Sequence, residues 1–149
     1  MKKITVLLSL LCCVSATTAQ RHEILDRQLH TLQVVVNDDP LQPPIMNLGG
    51  GNHLEIGFDE FSHEYHRYIY KVEHCNADWS PSTEIFESDY MNGFNGEPIE
   101  DYEKSFNTTV LYTHYSLRIP NENISLKLSG NYKLTVYNDE GDEPVPVLT

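Results

Sequence analysis

The sequence predicts an all-β chain, an immunoglobulin-like antiparallel β-sandwich, on three observations. Apolar residues recur at period two along most of the chain, and no stretch repeats at the helical period. Turn residues interrupt that alternation roughly every ten positions, the spacing of short strands in a sandwich or barrel. A tyrosine, Tyr132, opens a strand just after the corner Leu128-Ser129-Gly130-Asn131. In immunoglobulin-like sandwiches such a tyrosine packs in the core and its hydroxyl caps the corner backbone.

The elements follow in order. Leu32, Val34 and Val36 form a first strand that Asn37-Asp38-Asp39-Pro40 ends. Pro43-Pro44 forces an extended or turn conformation, and Gly49-Gly50-Gly51-Asn52 is a permissive turn. Leu54, Ile56 and Phe58 then share one face of a second strand. Residues 66–75 alternate longest, with Tyr68, Tyr70, Val72 and His74 on one face. A polar turn follows, and Trp79, the single tryptophan, lies in it. Its expected role is to plug one end of the core. Residues 84–102 are the least regular and read as a long ordered loop with at most a short edge strand. Leu111, Thr113, Tyr115, Leu117 and Ile119 form the fifth strand of the fold, and 131–137 the sixth.

One strand is then wanting. Only Val145-Pro146-Val147-Leu148-Thr149 follows, with prolines on both sides of Val145. Proline cannot donate to a central ladder. The expectation is a sandwich that lacks its last strand, or receives it from a partner, in a fragment of a longer protein.

Residues 1–19 read as a secretory signal peptide. Met1-Lys2-Lys3 is a short basic start, Ile4 begins an uncharged apolar run, and Ala16-Thr17-Thr18-Ala19 offers small residues for cleavage. The run is short for a bilayer span, which takes roughly 20 apolar residues. Lipid attachment at Cys12 is disfavoured because Leu11 precedes it where a small residue is wanted. Cleavage would leave one domain, residues 20–149, and one cysteine, Cys75, so no internal disulfide. Without Lys2 and Lys3, eight basic residues face 22 acidic ones, a formal charge of −14. That balance speaks against nucleic acid and anionic lipid as partners.

The chemistry expected of an enzyme is not spelled out. No nucleophile elbow or phosphate-cradling glycine loop is written in the sequence. His63 and His66 are three apart, not the four that place two zinc ligands on one helix face. His74 and Cys75, adjacent on a strand, point to opposite faces. The acidic stretch 139–143 lacks the spacing of a calcium loop. Asn107-Thr108-Thr109 and Asn123-Ile124-Ser125 match a glycosylation pattern that recurs by chance. No catalytic residue, metal or cofactor is therefore expected, and no small-molecule substrate.

Several blocks nevertheless resemble a known family. His74-Cys75-Asn76-Ala77-Asp78-Trp79-Ser80-Pro81-Ser82, Tyr90-Met91-Asn92-Gly93-Phe94-Asn95, and Ser105-Phe106-Asn107-Thr108-Thr109 with Tyr112-Thr113-His114-Tyr115 occur in order. Ile119-Pro120-Asn121-Glu122 and Leu128-Ser129-Gly130-Asn131-Tyr132 complete the set. Together they resemble the first domain of the type IX secretion system plug protein. The resemblance implies a periplasmic, non-enzymatic protein of Bacteroidetes-type bacteria. It implies docking on an outer-membrane translocon barrel whose pore the protein closes when idle. The long aromatic loop, with Tyr90, Phe94 and Tyr102, is the expected contact with the barrel. An ordered loop packed over the chain's own sheet is the structural alternative. Composition alone also fits a secreted surface module that binds carbohydrate or protein.

Overall fold

The structure, a computed structural model, describes residues 22–149. The segment 1–19, expected to be a signal peptide, lies outside the described residues. Eight residues, Leu29–Val36, form β1; β2 is Leu54–Glu60 and β3 is Tyr68–Cys75. One helical turn, α1 (Glu87–Tyr90), leads into β4 (Met91–Asn92), β5 (Glu97–Pro98) and β6 (Asp101–Lys104). The chain continues through β7 (Thr113–Ile119), β8 (Ser125–Leu126), β9 (Asn131–Asn138) and β10 (Val145–Leu148). One sheet has the order β1-β2-β7-β6, the other β10-β9-β3-β5, and β4 with β8 makes a small ribbon. Every pairing is antiparallel.

The alternation explains this packing. Ile56 and Phe58 of β2, with Thr113, Tyr115, Leu117 and Ile119 of β7, turn inward from the first sheet. Tyr68, Tyr70 and Val72 of β3, with Val136 of β9, turn inward from the second. They meet in an aromatic centre, where Phe58 stacks on Tyr115 at 5.2 Å and Tyr68 meets both rings edge-on. Stacked and edge-to-face rings add to the gain from burial alone.

β1 begins three residues before the expected Leu32. Its register shifts between His30 and Gln33, and Thr31 has a positive φ of 55°. This bulge breaks the period-two pattern, so Leu29 is fully buried yet out of phase with Leu32.

The expected absence of a last strand is corrected by the structure. β10 pairs with β9 on the edge of the second sheet, and its Val147 and Leu148 are buried. Its far side is flanked by the start of the described chain: the Leu25 amide donates to the Val147 carbonyl at 2.8 Å, and the Thr149 amide donates to Glu23 at 2.9 Å. Pro146 is admitted because β10 ends the order of its sheet and its register shifts between Pro146 and Leu148. The proline argument holds only for a central strand.

Segment 84–102 is also more structured than one loop. β5 joins the second sheet and β6 the first, so the chain crosses between layers here. Ile99, buried between those two strands, anchors the crossing.

Candidate functional site

The corner at Tyr132 has the expected geometry. Its hydroxyl donates to the Leu128 carbonyl at 2.5 Å, while the ring packs beside the core and edge-on to His74. Burial pushes the phenol up to about 12. Gly130 is required at this point. Its φ is 154°, and a Cβ there would lie 2.3 Å from Nε2 of His74.

His74 and Cys75 separate as the strand geometry requires. Nδ1 of His74 lies 2.8 Å from the Ser82 hydroxyl, and Nε2 lies 3.3 Å from the Ser129 carbonyl, so the ring ties two turns together. Cys75 is buried on the other face, and desolvation is the main reason its thiol is harder to ionise.

Trp79, expected to plug one end of the core, is not among the buried core residues. It is half-buried, has a positive φ of 67°, and forms a wall of an open cleft of about 830 Å³. Leu32 and Val34 of β1, Leu134 of β9, Ile45 and Leu128 line the same cleft. Tyr90, Met91 and Ile124 belong to the buried core cluster.

The three expected contact aromatics part company. Tyr90 is only 7% exposed, and its hydroxyl donates to the Val72 carbonyl at 3.1 Å. It is a core residue rather than a surface contact. Phe94 is 76% exposed. Beside it, Asn95 receives the Val72 amide at 2.7 Å and donates to the Val72 carbonyl at 3.1 Å, pinning this stretch to β3. Gly93 presses against the neighbouring turn, because a Cβ there would lie 1.8 Å from the Asn123 carbonyl oxygen. Tyr102, on β6, is 41% exposed and its ring lies 4.7 Å from that of Tyr65. Much of segment 84–99 thus covers the chain's own sheet.

Two polar clusters were not read from the sequence. Glu60, fully buried at the end of β2, lies 2.6 Å from Nδ1 of His66. The Tyr115 hydroxyl accepts the His66 amide at 2.9 Å. The Glu60 contact holds the His66 imidazole above its ordinary 6.5, against the opposing effect of desolvation. At the opposite end, Asp38, His53 and Glu55 bring ligand atoms within 4.8 Å of one another. The Arg118 guanidinium stands 3.8 Å from Asp38 and 3.4 Å from Glu55, so a positive charge already answers both carboxylates. Spacing did not reveal either cluster: the loop 61–67, which passes from one sheet to the other, returns His66 to Glu60, and the pairing of β1, β2 and β7 gathers Asp38, His53, Glu55 and Arg118.

Among the described residues no helix is long and apolar enough to cross a membrane. The fold is that of an antiparallel β-sandwich, with aromatic side chains on its connecting segments. A family model described as the type 9 secretion system plug protein 1st domain matches residues 29–148, and the chain belongs to that family. It is also similar to a hypothetical protein from Parabacteroides merdae ATCC 43184 with a crystal structure at 2.30 Å resolution, at 40% identity and a TM-score of 0.78. That match covers 85% of this chain and 32% of the other, so the chain spans about a third of that protein's length. No curated protein matches.

Proposed function

We propose that this chain is an exported, non-enzymatic plug. It docks on the periplasmic opening of the outer-membrane translocon barrel and closes the pore while no cargo crosses. The observation that carries this reading is the plug-family match, which spans β1 through β10. The fold suits the task, since a plug needs a body that does not deform under load. The aromatic centre shared by both sheets and the crossing at Ile99 provide that. Of the aromatics selected from the sequence, Phe94 and Tyr102 keep exposed rings.

The test has two parts. Tagged chain recovered from outer membranes should bring the barrel with it. Cells lacking the protein should take up a large antibiotic that intact outer membranes exclude, and the wild-type gene should restore exclusion. Failure to recover the barrel removes the docking claim. Unchanged uptake in the deletion strain removes the pore-closing claim.

A further inference from the structure

The two main sheets end in four edge strands, and three of these are closed to further pairing. β6 is short, and Asp101, Glu103 and Lys104 charge it. β5 has two residues, one of them Pro98, which has no N–H to donate. β10 is flanked by the chain at Glu23 and Leu25, whose amides donate to the Thr149 and Val147 carbonyls. Short length, charge, proline and a covering segment are the devices that keep strand edges from pairing with other chains.

β1 is the exception. It runs for eight residues without an acid, a lysine, an arginine or a proline. Its bulge lies at Thr31, ahead of the regular stretch 32–36. The Asn37 amide donates to the His53 carbonyl, so Asn37, Val35 and Gln33 turn their backbone groups toward β2. Leu32 and Val34 therefore turn theirs to the free edge. Among the described residues neither has a backbone partner on that side, whereas the Val36 carbonyl already accepts from Asp39. The side chains of the same two residues line the cleft, and Leu134 of β9 and Leu148 of β10 line it from the other sheet. The cleft thus opens between the sheets on the side of β1.

We propose that the β1 edge pairs with the β1 edge of a second copy of this chain, antiparallel about a twofold axis at Gln33. Leu32 of each copy then lies opposite Val34 of the other, and each such pair exchanges both backbone hydrogen bonds. Residues opposite one another share a face, so each copy brings its own Leu32 and Val34 beside the other's, and the two clefts adjoin. Charge selects the occupant. The chain has 22 acidic residues against 10 basic ones, and such an excess opposes self-association over most of its surface. Along β1 the opposition is absent, because the surface that the copy offers is the same uncharged strand. Ile45, 72% exposed at the rim of the cleft, adds apolar surface on this side. The inference does not rest on the plug reading.

The experiment reads the oligomeric state of the purified full-length protein by sedimentation velocity over a range of concentrations. The wild type is expected to pass from monomer to dimer. Gln33→Lys changes an exposed side chain and sets two like charges side by side across the axis. It should weaken the dimer at least about tenfold, equivalent to roughly 1.4 kcal/mol. A second measurement oxidises Gln33→Cys under mild conditions. Across a pair of this kind the Cα atoms stand about 4.5 Å apart, within reach of a disulfide, and a covalent dimer should form. Glu103→Cys, on the charged edge of β6, carries the same native cysteines and should stay monomeric. A wild type that is monomeric at every concentration overturns the inference. So does a dimer that Gln33→Lys leaves unchanged, or one that links no better through position 33 than through position 103. If position 33 links to a different protein and no homodimer forms, the edge has another occupant and the inference falls.

Discussion

Tyr132 and His66 illustrate two different uses of a polar side chain at the edge of an apolar core. The Tyr132 hydroxyl serves the corner by donating to Leu128. Replacing it with Phe keeps the ring and leaves that carbonyl without its donor, so Tyr132→Phe should cost about 1 kcal/mol in chemical denaturation. An unchanged midpoint would show that water serves the carbonyl equally well. His66 carries a pH dependence. Its folded pKa lies above the ordinary 6.5, chiefly through Glu60, with Glu140 and Glu64 adding in the same direction. The protonated form is therefore favoured by folding. That contribution is complete below the unfolded value and is lost as pH rises through the raised folded value. The melting temperature of the wild type should fall over that upward window, and the slope should flatten in His66→Gln. A slope that persists in the variant would assign it to another group.

At the scale of elements, β10 is the instructive case. The residue pattern of 145–149 argues against a strand, yet the strand forms because it occupies a sheet edge where Pro146 costs little. If β10 belongs to the core, Leu148→Ala should cost about 2–5 kcal/mol. Val145→Ala, at an exposed position of the same strand, should stay within about 0.5 kcal/mol. Equal effects would mean that β10 is only loosely attached. The long strands were legible because each buries one face, and Leu54, Ile56 and Phe58 are sufficient to mark such a face. The strands β4 and β5, of two residues each, were not legible, since two residues define no period. Their partners in β8 and β3 determine them. The same holds for Tyr90, which reads as a loop aromatic and becomes a core residue because α1 turns it onto Val72.

For the whole molecule, the two sheets share one core, and the segment from β5 to β6 joins them. Unfolding should accordingly be a single transition, with far-ultraviolet circular dichroism and the near-ultraviolet tyrosine signal lost at the same denaturant concentration. Separate midpoints would show that the layers come apart independently. Tyr102 was selected from its place in an aromatic segment. Tyr65, whose ring lies 4.7 Å from that of Tyr102, comes from the loop between β2 and β3, which strand pairing brings to the same end. By itself the sequence determined the all-β class, the faces of the long strands, the tyrosine corner and the family, because these rest on local alternation and short residue blocks. Only the tertiary structure decided that the last strand is present, that Trp79 lines a cleft, that Tyr90 is core and that Glu60 meets His66. The strand, the cleft and the burial of Tyr90 depend on which distant segments pack together, and the Glu60–His66 contact on how the loop 61–67 passes from one sheet to the other, neither of which is set by the residue pattern along the chain.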